Sequence, residues 1–288
     1  MLEATESRVS RAPGAVCAPF GASARESGRD ARRMPDVTPV AVAVVSATGV
    51  GKRSLKRLFK AFIHRGRHLN IPAQAPLNLL HTAAVGTLAT HARQPEGFPY
   101  PSVLPFAPDH AHRPTILVSR LAEHTHNLHA DPRAGFLVVD APDGDVLNGQ
   151  RATLLGRFEP VDPAPGLIAR YLRYHPDAER YLVLGDFTFW AMKLDRLRYI
   201  GGFGAMGWLG GDELDALAPL EQHDEDALIG EFADALLSAT GYQLIGVDRY
   251  GLDLRQSGLR KRFAFESGKP DIETLHVALE DCIRRQGG

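Results

Sequence analysis

The sequence is poor in cysteine, in long apolar runs and in net charge. Two cysteines, Cys17 and Cys282, stand near opposite ends of the 288 residues. There is no Cys-x-x-Cys pair, which excludes a cysteine zinc knuckle and a disulfide framework and fits a reducing compartment. The formal net charge is −1, so no global field draws the chain to nucleic acid or to an anionic membrane. No apolar run approaches the ~20 residues that span a bilayer. The best near the N-terminus, Val40-Ala-Val-Ala-Val-Val45, is far shorter and follows an Arg-rich stretch that no ordinary signal peptide would carry. These absences lead to the expectation of a cytoplasmic protein.

What is present is ordinary globular material. Apolar residues make up 44% and charged residues 23%, enough to build one large core or two small ones. Residues 1–35 differ: they are rich in Ala, Ser, Arg, Gly and Pro and lack apolar periodicity. Such a composition does not offset its ordering entropy, so residues 1–70 are expected to be a disordered leader ending in a basic helix. Met34 offers an alternative start within it. Ser46-Ala-Thr-Gly-Val-Gly-Lys-Arg-Ser54 superficially suggests a phosphate loop. It has Ser46 where the first glycine is needed, and Arg53 after Lys52 where Ser or Thr is needed. Residues 52–68 are basic, with Leu55, Leu58, Phe59 and Phe62 at helical spacing.

Beyond residue 75 the pattern becomes structured. Residues 76–84 read as a short helix, and Val85-Gly-Thr-Leu-Ala-Thr90 as a strand. Tyr100-Pro-Ser-Val-Leu-Pro-Phe106 is a second strand whose two prolines predict an edge or an irregular ladder. Residues 115–119 give a third strand, 121–130 a helix, 134–140 a fourth strand and 150–160 a fifth. A helix over 163–174, a short element at 181–184, a sixth strand over 188–194 and a closing segment over 196–203 complete the unit. Short strands with interposed helices argue for a small barrel rather than a parallel sheet.

The wording of these segments resembles a known family. Val85-Gly-Thr-Leu-Ala-Thr90, Tyr100-Pro-Ser-Val-Leu-Pro-Phe106 and Ile116-Leu-Val-Ser-Arg-Leu-Ala-Glu-His-Thr-His-Asn-Leu128, with Asp131-Pro-Arg133, resemble the pyridoxamine 5'-phosphate oxidase-like split barrels. Gly201-Gly-Phe-Gly204 followed by Trp208 resembles the closing motif of the haem-utilisation branch. The resemblance implies an α+β fold, with a six-stranded split β-barrel of the FMN-binding type over residues 75–210. It also implies a homodimer with FMN at its interface, acting as a flavin-dependent oxidoreductase on a small molecule not identified by the sequence. Carried over by position, the cofactor-binding residues are Tyr100, Ser102 and Val103 on the second strand, Ser119 at the end of the third, His124 and Thr125 at the start of the next helix, and Arg151 and Trp190. A helix start favours a phosphate there. The structural alternatives are local stabilisation by Thr125, an ion-paired Arg151 and a core Trp190.

The sequence also departs from the family. The phosphate segment Glu123-His-Thr125 carries no lysine, and the oxidase's C-terminal substrate motif is missing, so pyridoxamine phosphate oxidation is not expected. Haem is the second cofactor implied. Relatives often close with Gly-Phe-Gly-Arg-Ala-His-Trp; here Ala205 replaces the arginine and Gly207 the histidine, which removes a propionate partner and an iron ligand. His124, His126 and His129 do not share a helix face well enough to form a metal set. No metal ligands and no catalytic residues are assigned, and a cofactor-free binding module is the third alternative. Residues 214–288 read helix, strands, helix. They resemble the small α+β domain of unknown function often fused after these barrels, with His223-Asp224 in the reverse of its usual order.

Overall fold

The computed structural model describes residues 71, 74–141, 144–201 and 205–286. The expected leader, with the 46–54 segment and the basic stretch 52–68, lies outside them, as do residues 202–204 of the closing motif.

α1 (Gln74–Thr82) buries Leu77, Leu79, Leu80 and His81 on one side. The sequence then switches to alternation. β1 (Val85–His91) turns Gly86, Leu88 and Thr90 inward and leaves the intervening residues more exposed, as a strand's two-residue period dictates. β2 (Pro99–Pro105) pairs antiparallel with β1, from Val85 opposite Pro105 to His91 opposite Pro99. It forms the end of the sheet, where its prolines leave no neighbour's carbonyl without a donor. The two-residue β3 (Ala107–Pro108) and β4 (Pro114–Ser119) form the next hairpin. α2 (Glu123–Ala130), β5 (Arg133–Asp140), β6 (Gln150–Pro160) and α3 (Pro165–Tyr174) follow. A 3-10 turn at Pro176–Ala178 and α4 (Glu179–Leu182) lead into β7 (Phe187–Ile200) and β8 (Met206–Gly210).

The strand order is β2-β1-β5-β6-β7-β4-β3, with β8 also on β7; every pairing is antiparallel. The sheet curls until β2 lies near β4, leaving an open seam. Phe106, Phe136, Phe158, Leu88, Ile116, Leu154, Met192 and Leu197 fill the interior. Phe136 meets both Phe106 and Phe158 edge-on, at 5.2 and 5.7 Å between ring centres, the preferred aromatic geometry.

The sheet has eight strands rather than the expected six. β3 is too short to register as a pattern, and β8 lies in glycine-rich sequence that reads as a closing turn. The expected sixth strand and closing segment are one strand, β7, continuous through a bulge. Leu155 faces Arg196 and Gly156 faces Leu194, so Asp195 is the extra residue. At this bulge a Cβ on Gly156 would lie 2.2 Å from the Lys193 carbonyl oxygen, so only glycine fits.

After residue 214 come α5 (Gln222–Thr240), β9 (Gln243–Asp248), β10 (Gly251–Gln256), β11 (Leu259–Ala264) and α6 (Ile272–Gln286). α5 stops at Gly241, whose φ of 72° and N–H bond to the Leu237 carbonyl form a left-handed cap. The three strands, in order β11-β10-β9, and the two helices enclose their own apolar cluster, including Leu228, Phe232, Leu236, Leu252, Leu275 and Leu279.

Polar contacts join this part to the barrel, and all the described residues belong to one compact unit. Arg170 of α3 pairs with Glu225 of α5, both buried. Arg260 of β11 donates to the carbonyls of Ala83 (2.9 Å) and Phe106 (3.2 Å). Arg262 donates to Asp253 (2.6 Å), Asp248 (2.8 Å) and Asn78 of α1 (2.7 Å).

Candidate cofactor site

A cavity of about 510 Å³ opens at the seam of the barrel. Leu104 and Pro105 of β2, Leu117, Val118 and Ser119 of β4, and Ala122 and His124 at the start of α2 form one side. Tyr171 of α3, His175, Asp177, Ala178, Arg180 and Tyr181 form the other, with Phe187 of β7. α3 reaches this position because Pro165, at its first turn, suits a helix start, and because Tyr171 packs edge-on against Phe189 at 5.2 Å.

The cavity combines apolar walls with neutral imidazoles, one guanidinium and one carboxylate, that of Asp177. Burial pushes the half-buried His124 below its usual 6.5, so its ring is neutral at pH 7 and keeps a lone pair. Burial, and then Arg260, hold His175 at about 4; its Nε2 lies 2.6 Å from the Arg260 guanidinium. Arg180 lies over the Tyr181 ring at 4.8 Å and donates to its hydroxyl (2.9 Å). Tyr181 stacks on Phe187 at 5.0 Å. Ser119 donates to Asp186 (2.5 Å) and accepts the Leu121 N–H (3.1 Å).

Of the residues expected to bind cofactor, Ser119 and His124 meet in this cavity. The other six do not line it. Thr125 is buried, with its hydroxyl donating to the Ser119 carbonyl (2.7 Å) and its N–H to the Ala122 carbonyl (3.0 Å), so it holds the turn into α2. Trp190 is a core residue 2% exposed, its indole N–H on Thr188 (3.1 Å) and its ring edge-on to His129. Arg151 donates to the carbonyls of Val146 (2.8 Å) and Leu147 (3.1 Å). On β2, Ser102 is half-buried and Tyr100 lies at the sheet edge, and Leu104 and Pro105, not these, wall the cavity.

Val103 and Arg151 belong to a second surface, the outer face of the sheet. Strand register lines up Val103, Thr87, Leu137, Thr153, Arg198 and Trp208 across it. Val103 is 70% exposed, and Leu137, Leu155, Met206 and Trp208 are also exposed. Arg196 and Arg198 cover the Trp208 ring at 3.9 and 5.7 Å.

The sequence reading did not find His175, Arg180 or Tyr181. The signal available was the density of aromatic and basic residues in Tyr171-Leu-Arg-Tyr-His-Pro-Asp-Ala-Glu-Arg-Tyr181, which no spacing rule separates from a surface helix.

A curled antiparallel sheet, open at one seam and flanked by helices, with a cavity at that seam, defines a split β-barrel protein. The family described as "CREG, beta-barrel" matches residues 71–215, half of the chain. The chain belongs to that family. It is 31% identical over 173 residues to the non-canonical heme oxygenase HOZ, chloroplastic, of Arabidopsis thaliana; the match takes in 59% of this chain and 52% of that protein. The chain thus spans about half the length of this curated relative. Among solved structures, a protein of unknown function from Agrobacterium tumefaciens, Atu2129, shares the fold at a TM-score of 0.60 and 21% identity, over 75% of this chain and 97% of that one. A heme binding protein from Mycobacterium smegmatis aligns at a TM-score of 0.47 and 28% identity, over 74% of this chain and 96% of that one. Among the described residues no helix is long and apolar enough to cross a membrane.

Proposed function

We propose that the protein binds haem in the seam cavity, as a haem-utilisation member of the split-barrel proteins. The observation that carries this reading is the neutral His124 on the wall of an apolar cavity that also holds Arg180. Haem requires a flat apolar slot, a neutral nitrogen for its iron and a cation for a propionate. The rings of Tyr181 and Phe187, the imidazole of His124 and the guanidinium of Arg180 supply these in turn. When bound, haem would supply the redox and oxygen chemistry, while the protein would seat it, limit water and offer its iron the His124 nitrogen. The similarity to HOZ supports the same class of ligand. Ala205 and, on β8, Gly207 offer neither cation nor ligand, so the seam rather than the closing motif is assigned to haem, and degradation is not required by this reading.

FMN fits less well. A phosphate at Ser119 would meet the Asp186 carboxylate that already takes the serine's proton, with Glu123 in the first turn of α2. A flavin-dependent oxidoreductase therefore remains the competing reading. The same proposal includes a homodimer, supported by the exposed apolar outer face of the sheet. It also includes a two-part chain, a barrel over residues 75–210 and an α+β module over 214–288, supported by the module's own apolar cluster, beside which Ile245 and Tyr250 reach over to barrel residues. A reducing cytoplasm suits the two distant cysteines.

Titration of the purified full chain with hemin tests the reading. The expected result is a shifted Soret band, with affinity lowered about ten-fold or more in His124→Ala. A spectrum with no Soret shift, or one indifferent to His124→Ala, overturns it. A stoichiometric flavin spectrum as purified would transfer the site to FMN.

A further inference from the structure

The joint between the barrel and the C-terminal strands holds a second polar cluster, away from the seam cavity. Two imidazoles meet there. His81 of α1 and His112 of the β3–β4 turn are both buried, 1% and 2% exposed, and Nε2 of His81 lies 2.9 Å from Nδ1 of His112. Each ring has its other nitrogen turned toward a carboxylate. His81 donates from Nδ1 to Asp253 Oδ2 (2.5 Å), and Nε2 of His112 lies 3.5 Å from Asp215 Oδ2. A carboxylate behind each imidazole fixes the tautomer that leaves the facing nitrogen free, which is the usual arrangement around metal-bound histidine.

Asp248 completes the cluster. One ligand atom from each of His81, His112 and Asp248 lies within 4.8 Å of the others. Asp248 Oδ1 is occupied by Arg262 (2.8 Å) and the Tyr250 N–H (2.7 Å). Its Oδ2 is buried and has no hydrogen-bond partner, lying 3.5 Å from His81 Nδ1, the nitrogen already bonded to Asp253. An orphaned carboxylate oxygen is costly in the interior. Three carboxylates, those of Asp215, Asp248 and Asp253, lie against the two imidazoles. Among these groups a single guanidinium, that of Arg262, is bonded directly to the carboxylates, so the cluster is short of positive charge.

We propose that His81, His112 and Asp248 bind one divalent metal ion of the zinc type, clamping α1 and the β3–β4 turn to β9 and β10. Two nitrogens and one carboxylate oxygen suit that class of ion. Tetrahedral ligands at ~2.0–2.1 Å from zinc stand about 3.3 Å apart, so the facing nitrogens, 2.9 Å apart, need to part by a few tenths of an ångström and Asp248 Oδ2, within 4.8 Å of them, needs to draw in. The ion would satisfy Asp248 Oδ2 and neutralise the excess carboxylate charge. This site is independent of haem.

The test uses the full chain, loaded with Zn²⁺, desalted and analysed for metals, with zinc counted apart from iron. The expected result is about one zinc per chain, and at least about ten-fold less in His112→Gln and in Asp248→Asn. Removal of zinc by a strong chelator should lower the melting temperature, and returning it should restore it. Wild-type protein that retains no zinc after loading overturns the proposal, because the two imidazoles then share only a proton. So does zinc content unchanged in folded variants. Should neither variant fold, Co²⁺-loaded wild type decides. Intense tetrahedral ligand-field bands support the site, and their absence refutes it.

Discussion

Replacing Arg170 with methionine should cost about 3–5 kcal/mol, the usual result of stranding one member of a buried ion pair. The side chains of Arg170 and Glu225 are 6% and 1% exposed, so solvent cannot take over for either. Arg170 also donates from Nε to the Pro108 carbonyl (2.8 Å) and lies near the Tyr174 hydroxyl (3.4 Å). Without it, Glu225 Oε1 keeps only the Val247 N–H (3.2 Å), with Arg173 3.3 Å from Oε2. For a folded unit of this size each kcal/mol moves the melting temperature by about 2–4 °C, so a drop of about 6–20 °C is expected by circular dichroism. Glu225→Leu should cost a similar amount. The double variant should lose much less than the two singles together, because no charge is then left buried alone. Since α3 carries Tyr171 into the seam cavity, the single variants should also weaken hemin binding. A loss below ~1 kcal/mol in Arg170→Met, or additive losses in the double variant, would refute the reasoning.

Other expectations follow from particular contacts. His175 is held at about 4, below its unfolded 6.5, so the unfolded chain binds a proton there that the native chain refuses. Its stabilising contribution is therefore full above pH 6.5 and declines toward pH 4, with a slope near ~1.4 kcal/mol per pH unit. Urea midpoints measured over that window should fall less steeply in His175→Gln, and an unchanged slope would remove His175 as the source. Gly156→Val should destabilise by several kcal/mol, about 3 or more, through overlap with the Lys193 carbonyl (2.2 Å from an added Cβ); an unaltered thermal melt would contradict the bulge. Val103→Glu should shift a dimer to monomer in light scattering while leaving the melt within about 1 kcal/mol of wild type, since an exposed site tolerates charge; a dimer that persists would move the interface elsewhere.

Local pattern made much of the barrel legible. The alternation of β1, β5 and β6 and the helical spacing of α1 and α5 identify themselves, because neighbours along the chain share one face. The prolines of β2 announced a sheet edge, since a residue without N–H suits a strand with no partner on that side. That Ser119 and His124 lie side by side could be read from the sequence, because they share one strand-to-helix junction. The seam cavity could not. It needs β2, β4 and α3 to converge, and the 3-10 turn that brings Arg180 and Tyr181 has no periodic signature. Thr125, Arg151 and Trp190 lie away from that cavity for a related reason. Their partners, the Ser119, Val146 and Leu147 carbonyls and Thr188, are set by turns and by strand register.

The histidine cluster marks the limit most clearly. His81 and His112 are 31 residues apart, and His81 and Asp253 are separated by 172. No motif spacing connects them. They meet because the C-terminal sheet packs against α1, and that packing is decided by the burial of whole faces and by the need to pair Arg170, Arg260 and Arg262 once they leave water. The sequence by itself determined most of the strands and helices, β3 and β8 excepted, and which side of each is apolar. Only the tertiary structure decided which polar groups would share an interior, because that depends on the order in which strands pair and on which charges find partners there.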